Sequence, residues 1–66
     1  MRDLDEITLN LSELEALRLS DLIGMSQKEA SSKMEVSQPT FHRILSEARR
    51  KIADVLVNGK SLKICE

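Results

Sequence analysis

Residues 34–45 read MEVSQPTFHRIL, and this stretch decides the fold. Ser37 is followed by Pro39 and Thr40, then by Phe41, Ile44 and Leu45. Serine is a favoured N-cap, and proline sits well in a first helical turn, where its missing N–H has no partner to lose. Apolar residues then recur at Phe41, Ile44, Leu45, Ala48, Ile52, Val55 and Leu56. Those steps of three and four mark one face of a long helix, expected over 38–58 and ended by Asn58-Gly59. The opposite face carries His42, Arg43, Ser46, Glu47, Arg49, Arg50 and Lys51.

Immediately upstream, "SQKE" (Ser26 to Glu29) has the form of a capping box and opens a short helix over 27–34. Its inward side is Ala30 and Met34, with Ser31 at a close approach. Only Glu35 and Val36 separate it from Ser37. A short helix, a tight turn and a second amphipathic helix make a helix-turn-helix. The spacing agrees, with small Ser31 where the helices cross, apolar Val36 after the turn, and bulky Phe41 and Ile44 on the inward side. The turn position usually held by glycine is Glu35. A left-handed conformation there costs about 1 kcal/mol relative to glycine, and the alternative is a turn that avoids positive φ.

Further out, "SELE" (Ser12 to Glu15) is a second capping-box pattern. It predicts a first helix over 13–23, with Leu14, Leu17, Leu19 and Leu22 facing inward beside Ala16, and Gly24 as its left-handed end. "ITLNL" (7–11) and "SLKIC" (61–65) alternate apolar and polar residues, a strand signal. Strands this short need a partner, and an antiparallel pairing is expected, within one chain or between two. The fold class is therefore mainly α: one domain over 1–66, a three-helix helix-turn-helix with a long third helix and a short antiparallel strand pair from the chain ends.

Composition narrows the function. Sixty-six residues with one aromatic, Phe41, make a small core, and dimerisation is one way to reinforce it. The single Cys65 excludes an internal disulfide framework and fits a reducing cytoplasm. No apolar run reaches the roughly 18 residues of a membrane span, and MRDLDEITLN is too acidic for a signal peptide. Net charge is −1 but polarised. Residues 1–36 hold four basic and eight acidic side chains, whereas 37–66 hold six basic and three acidic. One His, one Cys and scattered carboxylates form no nucleophile–base pair or metal set, so neither an enzyme nor a cofactor is expected.

With Phe41 and Ile44 buried, the opening turns of the third helix present Gln38, Pro39, His42, Arg43 and Ser46 outward, in the position of a recognition helix entering the major groove. Arg43 suits guanine O6 and N7, and Gln38 suits adenine. His42 can donate or accept at a base edge, and Pro39 can touch a thymine methyl. Ser37 and Thr40 are short donors suited to phosphates. Lys28, Lys33, Arg49 and Arg50 are placed for phosphates too, as are the free N–H groups at Ser26 and Gln27 that open the second helix. These contacts give affinity; the base contacts give sequence preference.

The segments "ELEALRLSDL", "SQKEAS", "VSQPTFHRIL", "EARRKIADVLV" and "GKSLKI" resemble those of a prokaryotic family of predicted DNA-binding proteins, domain-of-unknown-function family 134. The resemblance covers about Leu9 to Ile64. Within it, "GMSQKEASSKMEVSQPT" followed by "ARRKI" also resembles region 4 of sigma factors, which reads a promoter element. The resemblance implies double-stranded DNA as partner and transcriptional regulation as role. Members of the family tend to have glycine at the position of Glu35, and usually carry a further N-terminal segment, often with cysteine. A homodimer is expected, since DNA readers often use two-fold symmetry and the stripe from Ile52 to Leu56 exceeds what three helices need. The rival expectation is the same scaffold used as a protein-interaction module, docking RNA polymerase or another regulator, which the acidic first half would suit.

Overall fold

The computed structural model describes residues 5–65. Strand β1 (Glu6–Leu9) leads into helix α1 (Leu11–Leu17), which continues as a π-helical segment (Arg18–Ile23). Helix α2 (Gln27–Met34), the long helix α3 (Gln38–Asn58) and strand β2 (Ser61–Ile64) follow. The mainly helical class, the long third helix and the strand pair from the chain ends are as the sequence predicts. The boundaries of the second and third helices match 27–34 and 38–58.

The strand orientation differs: β1 and β2 pair in parallel, within one chain, with Ile7 opposite Leu62 and Leu9 opposite Ile64. The reason lies in α3. Ser61 N–H donates to the Asp5 carbonyl, so β1 begins beside the C-terminal end of α3. Lys51 reaches the Thr8 carbonyl, so β1 ends beside the middle of α3. β1 thus runs opposite to α3. The chain reverses at left-handed Gly59 (φ 65°), so β2 also runs back along α3 and lies parallel to β1. The long helical connection permits this, because parallel strands need a crossover of a dozen residues or more.

The first helix starts two residues earlier than expected. Its N-cap is Asn10, not Ser12, and the capping box pairs Asn10 with Glu13, not Ser12 with Glu15. Asn10 Oδ1 accepts from Glu13 N–H at 2.8 Å, and Glu13 Oε1 accepts from Asn10 N–H at 3.0 Å. This turns Glu13, Ala16 and Leu19 inward and leaves Leu14 exposed, against the predicted stripe. In the π-helical segment the Gly24 N–H bonds to Leu19 O, five residues back. That bonding breaks the 3.6-residue phase, so Leu22, expected inside, is 80% exposed. Leu56, at the far end of α3 in the stripe that exceeds what three helices need, is 75% exposed.

The centre is Phe41 and Leu45 of α3 against Ala16, Leu19 and Ala30, with Leu17, Met25, Met34, Val36 and Ile44 packed around them. Ser31 is buried as the small residue on α2, its hydroxyl donating to the Lys28 carbonyl at 3.1 Å. Among the described residues no helix is long and apolar enough to cross a membrane.

Candidate nucleic-acid interface

Two caps and one turn place the surface. Ser26 Oγ accepts from Glu29 N–H at 3.1 Å and starts α2; this is one half of the expected capping box. At the other end Glu35 is left-handed, φ 61° and ψ 42°. Its N–H bonds to Ser32 O at 3.1 Å, and the Val36 N–H bonds to Ser31 O at 3.0 Å. This pair of bonds is a Schellman closure, a backbone form that favours glycine, and it is completed by Val36 packing on the core. The chain then enters α3 at Ser37, whose Oγ accepts from Thr40 N–H at 3.2 Å. Pro39 lies within the first turn.

Because Phe41 and Leu45 are buried and Ile44 is half-buried, the other side of the first turns is open. Gln38, Pro39, His42, Arg43 and Ser46 are all exposed there, and Ser37 is exposed beside them. Thr40 is half-buried at the edge. It does more than the sequence suggests. Ser37 Oγ donates to Thr40 Oγ1 at 3.0 Å, and Arg43 Nη2 donates to the same oxygen at 3.4 Å. The pair thus holds the Arg43 guanidinium back toward the helix's opening turn.

The α2 side adds Lys28 and Lys33, both exposed. With Met25, Ser26, Glu29 and Ser32 they line an open depression of about 760 Å³. Ser26 and Gln27, at the start of α2, are exposed. Among the described residues neither lysine forms an ion pair, and nor does Arg43.

The basic residues further along α3 are differently placed. Arg49 donates from Nε and Nη2 to both oxygens of Asp21, at 3.1 and 2.6 Å. Arg50 grips Glu47 in the same bidentate way, at 3.1 and 2.6 Å. Each hydrogen-bonded guanidinium holds its carboxyl below the usual carboxylate range, and each carboxylate raises its arginine. Lys60 is tied to Asp54 at 3.0 Å. Lys51 does not stand on the outward face but turns inward to Glu13. The positive charge that the sequence concentrates after residue 37 is therefore largely neutralised in its second half. Among the described residues, Arg43 and Lys63 are the basic side chains after residue 37 outside any ion pair, and Lys28 and Lys33 are the unpaired ones on α2. Glu47–Arg50 is an i, i+3 pair visible in the sequence; Asp21–Arg49 spans 28 positions and has no local signal.

Among the described residues no three His, Cys, Asp or Glu side chains gather as a metal site. Cys65 is exposed and unpaired in a disulfide.

Comparison with known proteins gives a family. The family model described as "Protein of unknown function DUF134" matches residues 2–66. A UPF0251 protein of Pelotomaculum thermopropionicum is 55% identical over 64 residues, 97% of this chain and 48% of that protein. A UPF0251 protein of Thermoanaerobacter sp. is 53% identical over 64 residues, 97% of this chain and 57% of that protein. One from Caldicellulosiruptor saccharolyticus is 58% identical over 60 residues, 91% of this chain and 43% of that protein. The chain spans about half the length of these relatives. No solved structure matches it. The match over nearly the whole chain and the identities above half place one conclusion beyond the fold: the chain belongs to the DUF134 family, the UPF0251 proteins, a family of unknown function.

Proposed function

We propose that this domain binds double-stranded DNA in a sequence-specific manner, with α3 in the major groove, and regulates transcription in the cytoplasm as a homodimer. The observation that carries the reading is the opening of α3. Gln38, Pro39, His42, Arg43 and Ser46 share one exposed face, while Phe41 and Leu45 are buried. Arg43 and Gln38 are the side chains there that can make paired hydrogen bonds to a base edge. Lys28 and Lys33 on α2 supply phosphate contacts, with Ser37 and Thr40 as short donors and the N–H groups at Ser26 and Gln27 opening α2. Arg49 and Arg50 join them where a phosphate takes the place of the bound carboxylate. The two-fold arrangement draws support from the small core and from exposed Leu56 and Val57 at the end of α3.

The test is affinity for duplex DNA across a salt series. About four phosphate contacts per domain predict a fall of about 100-fold between roughly 50 and 200 mM salt. Absence of duplex binding at low salt contradicts the reading.

A second reading has one observation in its favour. Leu14, Leu17 and Leu22 line a shallow apolar depression of about 500 Å³ on α1, edged by Arg18 and Asp21. A protein partner, RNA polymerase or another regulator, would suit that surface better than DNA would.

A further inference from the structure

We infer that Asp21 is a built-in electrostatic brake on sequence-independent DNA binding, acting through Arg49. This rests on the DNA-binding reading above. Arg49 lies on the outward stripe of α3, one turn beyond Ser46, and its side chain is 54% exposed. It is thus positioned for a phosphate, yet both oxygens of Asp21 already occupy its Nε and Nη2 groups. A guanidinium with a bound carboxylate has no net charge and releases no counterion from DNA. Arg49 contributes only when it is handed from Asp21 to a phosphate, and Asp21 then faces the polyanion with its own charge uncompensated.

The placement of Asp21 is specific. It belongs to the π-helical segment, where five-residue hydrogen bonding interrupts the α-helical phase of α1. Segments of this kind often mark functional sites. The pair joins α1 to α3 across 28 positions but is exposed at both ends, 54% and 42%. Exposed pairs are weak, so the contact is a poor device for holding the fold and an easily exchanged one for a competing anion. A phosphate has the same fork-accepting geometry as the carboxylate. Every duplex offers that phosphate, so the brake falls on all sequences alike. A cognate site recovers the loss through Gln38, His42 and Arg43, whereas a random site does not.

The experiment is a duplex titration with wild type, Asp21→Asn, Arg49→Ala and the double variant, at several salt concentrations on a duplex of random sequence. Asp5→Asn, at the strand end of the molecule, removes an equal charge away from the face and serves as control. Thermal melts verify that each variant is folded. Asp21→Asn is expected to bind on the order of fivefold more tightly, with a salt slope steeper by about 0.9. Arg49→Ala leaves Asp21 uncompensated and is expected to weaken binding, and in that background Asp21→Asn is expected to gain clearly less than it does in wild type, a coupling that simple removal of a negative charge does not produce. Equal binding and equal slopes for wild type and Asp21→Asn, weaker binding by Asp21→Asn, or additive effects of the two substitutions overturn the brake alone. No binding by either protein at low salt overturns the DNA-binding reading and the brake with it.

Discussion

Lys51 Nζ lies 2.8 Å from Glu13 Oε1 and 2.8 Å from the Thr8 carbonyl oxygen. One ammonium group thereby ties the middle of α3 to the start of α1 and to β1. Glu13 is only 6% exposed and also accepts from the Asn10 N–H. Removing the lysine leaves a buried carboxylate with its cap bond alone. Breaking a fully buried pair costs about 3–5 kcal/mol, and this one is partly solvated. Lys51→Ala is therefore expected to lower stability by about 2 kcal/mol, read from the urea midpoint at constant slope. A change below about 0.5 kcal/mol, the range of ordinary surface substitutions, would show that the contact does not hold these elements together.

Glu35 offers the opposite case. It is a non-glycine residue held at φ 61° between α2 and α3. Its side chain is exposed, so little packing is lost on its removal. Glu35→Gly should raise stability by about 1 kcal/mol by relieving the left-handed backbone. Equilibrium unfolding of the two proteins decides it, and a destabilised variant would mean that Glu35 makes a compensating contact.

The carboxylates of Glu15, Asp21, Glu47 and Asp54 all sit below their ordinary values of 4.5, 3.8, 4.5 and 3.8. The cause is hydrogen bonding to Arg18, Arg49 and Arg50 respectively and, for Asp54, to Asn58 and then Lys60. A depressed folded value contributes stability above the unfolded value and loses it as pH falls through the folded one. Stability should hold level from neutral pH to about 5 and decline below that. Asp21→Asn should make the acid limb shallower, by a small amount because the pair is exposed. Denaturant melts at stepped pH test this; an unchanged acid limb would show the Asp21 pair contributing nothing to folding.

Arg43 carries the base-reading claim. Thr40 holds its guanidinium from one side, and no carboxylate among the described residues competes for it. Arg43→Ala should weaken a preferred site by about 1–3 kcal/mol and relax preference at one base pair. Equal weakening on every sequence would reassign Arg43 to a phosphate. Arg50→Ala should weaken all sequences alike and lower the salt slope, and an unchanged slope would leave Arg50 with Glu47 alone.

Local chemistry made α2 and α3 legible. Ser26, Ser37, Pro39, Gly59 and the run from Phe41 to Leu45 each act within a few residues, so the sequence carries their geometry. α1 was less legible because two cap signals overlap, and Asn10-x-x-Glu13 prevails over Ser12-x-x-Glu15. The choice follows from Lys51, which is distant in sequence and rewards burial of Glu13. The π-helical segment has no periodic signature, so the outward turn of Leu22 was hidden. The strand direction depended on where α3 ends relative to Asp5. At the candidate interface, exposure of Gln38, His42 and Arg43 followed from the buried stripe. The Asp21–Arg49 pair did not, because only the packed fold brings those two residues together.

Selection of preferred duplexes from a random pool, followed by titration of the selected site and its scrambled form, tests the central claim most directly. The account predicts one enriched motif, arranged as a palindrome for a two-fold dimer, bound at least about 1,000-fold more tightly than the scrambled duplex. Arg43→Ala should relax sequence preference at a single position of each half-site. A pool that yields no enriched motif, with selected and scrambled duplexes bound alike, would contradict major-groove reading by α3.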